Sequence, residues 1–236
     1  MYEILDWQRH FLLLSKQAGV GMHRAGEDLG LIRRLQADYP EERLLPVHRL
    51  DKVTSGLLLM ARHRNAAREL ARQFQAGKVD KYYLALSNRP PKQKQGWVVG
   101  DMEPSRRGTW RLTRSRSSPA ITRFLSYSVQ PGLRLFVLQP FTGRTHQIRV
   151  VMKSLGAPIL GDPLYAKASR DIPDADRCYL HAFALRFAMR GQTYTPTRAP
   201  ESGRHFLSPQ FMDLLPGLAR PWDLPWPPQG RNLAMP

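Results

Sequence analysis

Runs and alternations of apolar residues divide the 236-residue chain into short strands, a few helices and connecting loops. Tyr2–Trp7 and Phe11–Lys16 predict two strands joined by a Gln8-Arg9-His10 turn. Residues 16–23 form a loop; Arg24 stands where a dinucleotide fingerprint needs its third glycine, so Gly19 and Gly21 do not imply one. Leu29, Ile32 and Leu35 predict a helix over 27–39, ended by Pro40. A second helix follows Asn65 as N-cap, with Ala66, Ala67, Leu70, Ala71 and Phe74 on one face and Gly77 as its stop. Its other face carries Arg68, Arg72 and Gln75. Strands are expected over 78–87 and 179–189, with a hairpin of 122–130 and 133–139 around Pro131-Gly132. Ile148, Val151, Met152 and Leu155 give a third helix that stops at Gly156; 158–162 is a short buried segment ending in a turn, and 162–176 is loop-like. Residues 89–118 look least regular, and 216–236 reads as a Pro- and Trp-rich surface tail, partly disordered, behind a domain of 1–215.

One stretch stands out. In 47–62, His48, Arg49, Asp51, Lys52, Thr54 and Ser55 crowd polar groups ahead of Gly56, and Leu57, Leu58, Leu59, Met60 and Ala61 follow as a buried strand. A polar loop pinned to a buried strand can hold catalytic groups on a rigid support. The same residues also suit a plain turn, capped by Asp51 paired with Arg49.

Charge narrows the partner. Lys and Arg number 36 against 19 Asp and Glu, a net charge of +17, which implies a polyanion: nucleic acid or an anionic membrane. No apolar run approaches the ~20 residues of a membrane span, and no secretory signal is expected from the first residues. The single cysteine, Cys178, excludes an intramolecular disulfide and a Cys-based zinc site. A cytoplasmic RNA- or DNA-binding protein is the resulting expectation. In 89–118, Lys92, Lys94, Arg106, Arg107, Arg111, Arg114 and Arg116 outnumber the acids, with Trp97 and Trp110 interleaved. The arginines suit phosphates. The tryptophans read better as anchors of a hairpin insertion.

Several chemistries drop out. The seven histidines form no His-x-x-x-His pair, and there is no phosphate-binding Gly-x-x-x-x-Gly-Lys loop or Gly-x-Ser-x-Gly elbow. Glycosidase chemistry needs two placed acids. Asp51 is well set, whereas Asp162 reads as a turn former. A carboxylate among arginines is held in its charged form, which suits a nucleophile or a stabiliser of an electron-poor centre. Reaching a base or its sugar requires taking the nucleotide out of its stack. Arg144, His146 and Arg149 fall at or near the start of the third helix, where anions are favoured.

The block from His48 through Asp51 to Leu59 resembles the signature of RluA-type RNA pseudouridine synthases. Lys81-Tyr-Tyr83-Leu-Ala85, Pro119-Ala-Ile-Thr-Arg123, the run from Thr142 to Arg149, the run from Gly156 to Asp162, and Leu180-His-Ala182 resemble further blocks of that family, in family order. The resemblance implies a mixed α/β (α+β) fold: a mostly antiparallel central sheet, flanking helices and a central cleft. It implies isomerisation of uridine in tRNA or rRNA to pseudouridine with no metal or organic cofactor; a monomer is expected. Asp51 would be the catalytic aspartate, and Tyr83 would pack on the flipped base and is a candidate to remove its C5 proton. Arg149 would pair with Asp51 and orient it, and Arg49 would fill the place the uridine leaves. His48, Arg144, His146, Arg106 and Arg107 would contact RNA, and for Arg144 and His146 the favoured reading is phosphate contact or loop structure. Leu57 and Ile148 would line the uracil pocket or serve as plain core residues.

This sequence departs from the family pattern at Gln17, in place of a proline, at Val151, where a histidine often stands, and at Met189-Arg190. These leave the RNA target open. No S4-like module is expected ahead of Tyr2, so the basic catalytic domain would bind RNA by itself. Two other readings use the same residues: a non-catalytic RNA-binding or assembly factor, and a base-excising glycosylase.

Overall fold

The computed structural model describes residues 1–24, 26, 29–166 and 175–229. Its strands are β1 (Tyr2–Trp7), β2 (Phe11–Lys16), β3 (Leu45–Pro46), β4 (Ser55–Ala61), β5 (Asp80–Ser87), β6 (Gln95–Gly100), β7 (Met102–Pro104), β8 (Trp110–Leu112), β9 (Ala120–Gln130), β10 (Leu133–Pro140), β11 (Leu180–Met189) and β12 (Gln192–Tyr194). Four α-helices intervene: α1 (Gly30–Asp38), α2 (Arg64–Gln75), α3 (Gln147–Ser154) and α4 (Pro209–Met212). The fold is mixed α/β, with mostly antiparallel pairing, as expected. Two compact units emerge: Met1–Asp80 with Ala182–Ala199, and Lys81–His181 with Pro200–Pro236.

In the first unit the strand order is β1-β2-β4-β11, with β3 added on β4 and β12 on β11. Both β2 and β4 are buried along their whole length, which accounts for their unbroken apolar runs. Phe11, Leu13, Leu57 and Leu59 point to one core with Leu185 and Phe187, which α2 covers through Ala66 and Leu70. The alternate set, Leu12, Leu14, Leu58 and Met60, is equally buried on the other side. Gly56 has φ +108°, and a Cβ there would lie 2.2 Å from the Ala182 carbonyl oxygen. Only glycine allows β4 and β11 to approach so closely at that point.

Two helix starts differ from expectation. α1 begins at Gly30, where the Leu31 and Ile32 amides donate to the Gly21 and Met22 carbonyls at 2.8 and 3.2 Å. Those loop carbonyls satisfy N–H groups that a longer helix would have satisfied itself. Expected helical positions 27 and 28 fall outside the described residues. α2 is capped by His63, not Asn65: the His63 ring Nδ1 accepts from the Ala66 amide at 3.2 Å. Gly77, with φ +64°, follows its end.

In the second unit the order is β5-β10-β9-β6, with β7 and β8 as a separate two-stranded ribbon. The β9–β10 hairpin turns at Pro131-Gly132 as expected, with a register shift at Leu133. Residues 89–118 are more regular than expected and carry β6, β7 and β8, in line with the hairpin-insertion reading. The tail is also more ordered than expected over 216–229. Trp222 and Trp226 pack on Tyr82, with ring centroids 6.4 and 6.0 Å away. Arg123 lies 4.4 Å over Trp226, and Trp97 Nε1 donates to the carbonyls of Pro227 and Pro228 at 3.2 and 3.0 Å. Residues 230–236 lie outside the described set.

Two outcomes follow for stability. Gly56→Ala is expected to cost about 3 kcal/mol or more, since it combines a backbone clash with an unfavourable φ; urea denaturation measures it. The second outcome concerns His10, whose Nδ1 lies 2.9 Å from His63 Nε2. Burial, then the nearby Arg190 and His63, lower its pKa below the ordinary 6.5. The unfolded chain therefore takes up this proton first. The stability tied to neutral His10 is present above about pH 6.5 and is lost as pH falls below it. Denaturation midpoints across that range should fall less steeply in His10→Gln than in the parent.

Candidate active site

In the first unit the loop between β3 and β4 is fixed from beneath by a lysine. Lys16, 1% exposed, ends β2, and its Nζ donates to the carbonyls of Gln17, Val20 and Lys52 at 2.9, 2.8 and 3.4 Å. The Gly19 amide donates to the same Lys52 carbonyl at 2.8 Å. A buried ammonium needs several acceptors to offset its desolvation, and backbone carbonyls provide them. The carbonyl of Asp51 accepts from the Thr54 amide at 3.0 Å, closing the turn ahead of β4. These bonds fix the backbone from Asp51 to Thr54. The Asp51 side chain is half-buried, and Arg49 is exposed.

His48 has internal work. Its Nε2 accepts from the Leu59 amide at 2.9 Å, and its ring stacks on Phe74 of α2 at 4.6 Å. The structure thus places this expected RNA contact in the packing of the loop against α2. Leu57 lies in the core cluster and Ile148 is buried, as their plain core reading anticipated.

In the second unit Tyr83 sits on β5, opposite Leu138 of β10, and is half-buried. Arg149 lies on α3, 3% exposed. Its Nε and Nη2 donate to the two oxygens of Asp162 at 2.7 and 2.8 Å. Asp162 also accepts from the Leu164 and Tyr165 amides at 2.9 and 3.1 Å, so it makes the expected turn and answers a buried cation as well. The Tyr165 ring lies 5.1 Å from the Arg149 guanidinium. Its hydroxyl accepts from the Trp110 amide at 2.8 Å and meets His146 Nδ1 at 2.9 Å. Tyr165 therefore joins β8, the start of α3 and the buried arginine.

His146, at the N-terminal boundary of α3, adopts a left-handed conformation. Gln147 is a hub. Its Oε1 accepts from Thr142 Oγ1 and the Arg144 amide at 2.8 and 2.9 Å, and its Nε2 donates to the Ile121 carbonyl and Thr122 Oγ1 at 3.1 and 2.9 Å. Arg144 itself reaches Ser118 Oγ at 2.6 Å. Arg144 and His146 thus both take part in the structure of this loop. Arg106 and Arg107 are exposed at the tip between β7 and β8, with Arg107 at φ +56°. Asp51, Arg49 and His48 belong to the first unit, and the other expected site residues to the second.

The roles of Lys16, Tyr165 and Gln147 escaped the sequence reading. One signal was available: Arg149 sits among Ile148, Val150, Val151 and Met152, and an arginine in an apolar helix needs a buried acid. Among the described residues no three or more His, Cys, Asp or Glu side chains gather where they could hold a metal. No described helix is long and apolar enough to cross a membrane.

A mixed α/β fold with a backbone-locked Asp51 loop and a buried arginine on a short helix fits the pseudouridine synthase class. The sequence family described as RNA pseudouridylate synthase matches residues 10–154, more than half of the chain. A Haemophilus influenzae protein named as an uncharacterized RNA pseudouridine synthase is 45% identical over 211 residues, covering 89% of this chain and 93% of its own. The ribosomal large subunit pseudouridine synthase C of Escherichia coli (strain K12) is 36% identical over 200 residues, covering 80% of this chain and 62% of its own. This chain therefore spans about three fifths of that relative. The solved structure of human RNA pseudouridylate synthase domain containing 1 superposes with a TM-score of 0.72 at 26% identity, over 93% of this chain and 95% of that one. The chain belongs to the RNA pseudouridylate synthase family, whose members are isomerases.

Asp162→Asn removes the charge that answers a buried guanidinium. It is expected to cost about 3–5 kcal/mol, read as a lowered urea midpoint, with a much smaller loss for Glu103→Gln, whose pair with Arg111 is exposed.

Proposed function

We propose that the chain isomerises specific uridines of ribosomal or transfer RNA to pseudouridine, with Asp51 as the essential carboxylate. The observation that carries the reading is the position of Asp51: it lies within the family-matched region, in a loop whose backbone is held by Lys16 and Gly19. A carboxylate that must meet one atom of a sugar or base gains from a loop that does not have to be ordered during the reaction.

The uridine leaves its stack, and exposed Arg49 fills the vacated space. Asp51 acts at the sugar or at the base, and the N1–C1′ bond breaks. The uracil turns and C5 bonds to C1′. The C5 proton then leaves, with Tyr83 as the candidate acceptor, and N1, freed of C1′, takes up a proton from solvent. Atoms balance, because the product is an isomer and no oxidant or external group enters. Arg149 is the proposed positioning partner of the catalytic carboxylate, held in turn by Asp162. Arg106 and Arg107, exposed at the β7–β8 tip, are proposed to meet RNA phosphates.

The test uses RNA labelled with tritium at uridine C5. The parent protein is expected to release tritium from ribosomal or transfer RNA. Asp51→Asn should release none, a loss of at least about 10³-fold, while keeping its RNA affinity. Absence of release from every cellular RNA pool would refute the reading and leave the RNA-binding factor. Free uracil among the products would point to the glycosylase.

A further inference from the structure

α2 presents Arg64, Arg68 and Arg72 at every fourth position, and all three are exposed. Each four-residue step advances about 6 Å along the helix and turns about 40° around it. The three guanidinium groups therefore form one row, spaced like adjacent phosphates along a nucleic-acid strand. Among the described residues no acid pairs with any of them. The one acid on the helix, Glu69, turns to Arg190, whose Nε lies 3.6 Å from Glu69 Oε2 and whose amide donates to Glu69 Oε1 at 3.2 Å. Arg190 is itself exposed and adds a further cation beside the row. Like charges four residues apart disfavour a helix. α2 is held instead by its other face, where Ala66 and Leu70 join the core and Phe74 packs against it.

We propose that this arginine row is a docking track for the sugar-phosphate backbone of RNA that flanks the target uridine. The proposal rests on the RNA-modifying reading above. A membrane surface fits less well. A helix lying on a bilayer needs a free apolar face, and that of α2 is buried in the core. Its exposed residues, Arg64, Asn65, Arg68, Ala71, Arg72 and Gln75, include no apolar side chain larger than alanine. The row also has a defined relation to the Asp51 loop. Phe74, on the opposite face of α2, stacks on His48, three positions before Asp51. The row therefore stands about one helix diameter, ~10–12 Å, from that stack. An RNA that meets both must be folded, or long enough to pass over α2. A short single strand engages the catalytic loop alone.

The test replaces Arg64, Arg68 and Arg72 by Gln, which has nearly the helix propensity of Arg, and separately by Lys. Binding to fragments of folded ribosomal RNA and to a short uridine-containing single strand is measured against salt, alongside tritium release. Each lost phosphate contact lowers the slope of log affinity against log salt by about 0.7–0.9, so the Gln variant should lose about 2–3 of slope on folded RNA. Its KM there should rise at least about tenfold with kcat unchanged, its behaviour on the short strand should match the parent, and the Lys variant should keep the parent slope. An unchanged slope, an equal loss on both RNAs, or a loss confined to binding of anionic lipid vesicles overturns the proposal. If no RNA releases tritium but the slope still depends on the row, the catalytic reading fails and the track stands. Tritium release with no dependence on the row gives the reverse.

Discussion

A guanidinium buried on a short helix must be answered by a carboxylate of matching shape. Arg149 has that answer in Asp162, and much of the second unit is arranged around the pair. Two parallel hydrogen bonds fix the plane of the guanidinium. The Leu164 and Tyr165 amides fix the carboxylate in turn, which sets where the chain leaves the 158–162 segment. Tyr165 then lies against the guanidinium and reaches both Trp110 and His146. One charge on α3 thereby ties a ribbon, a turn and a helix start together. Replacing it by an apolar side chain would remove the desolvation cost and also the charge that Asp162 answers.

The first unit uses a different device for a similar end. Lys16 is also a buried cation, but it is answered by backbone carbonyls of two loops. Backbone acceptors fix where the chain runs. Asp51 and Arg49 are thus carried by a loop whose backbone is held at Asp51 and Lys52. His48 adds lateral support through Phe74 and the Leu59 amide. The departures from the family pattern fall on such supporting positions. The Gln17 amide donates to the Met1 carbonyl at 3.0 Å, a bond that proline could not make, and Val151 is a buried core residue.

Strands β1, β2, β4 and the β9–β10 hairpin were legible because their apolar patterns are local and their turns carry glycine or a polar triplet. The loop holding Asp51 was legible from the density of its polar groups. What the sequence hid depends on distant partners. The cap of α2 is a histidine whose ring nitrogen does what Asn65 was expected to do. The partner of Arg149 is thirteen residues away, across a turn that had been credited to Asp162 alone. The order of 216–229 depends on Tyr82, Trp97 and Arg123, residues about a hundred or more positions earlier that no local pattern links to a proline-rich segment.

The first unit is built from two pieces of chain, Met1–Asp80 and Ala182–Ala199. During synthesis the first piece leaves the ribosome about a hundred residues before the second. Through that interval β4 has β2 on one side, and on its other edge β3 covers Met60 and Ala61 and His48 takes the Leu59 amide, but the stretch from Ser55 to Leu58 awaits β11, the strand that Gly56 brings so near. An unpaired edge bearing Leu57 and Leu58 invites pairing with other chains. A chain cut short before residue 182 would therefore be a sticky fragment, and the cell's chaperones and proteases would meet it as such.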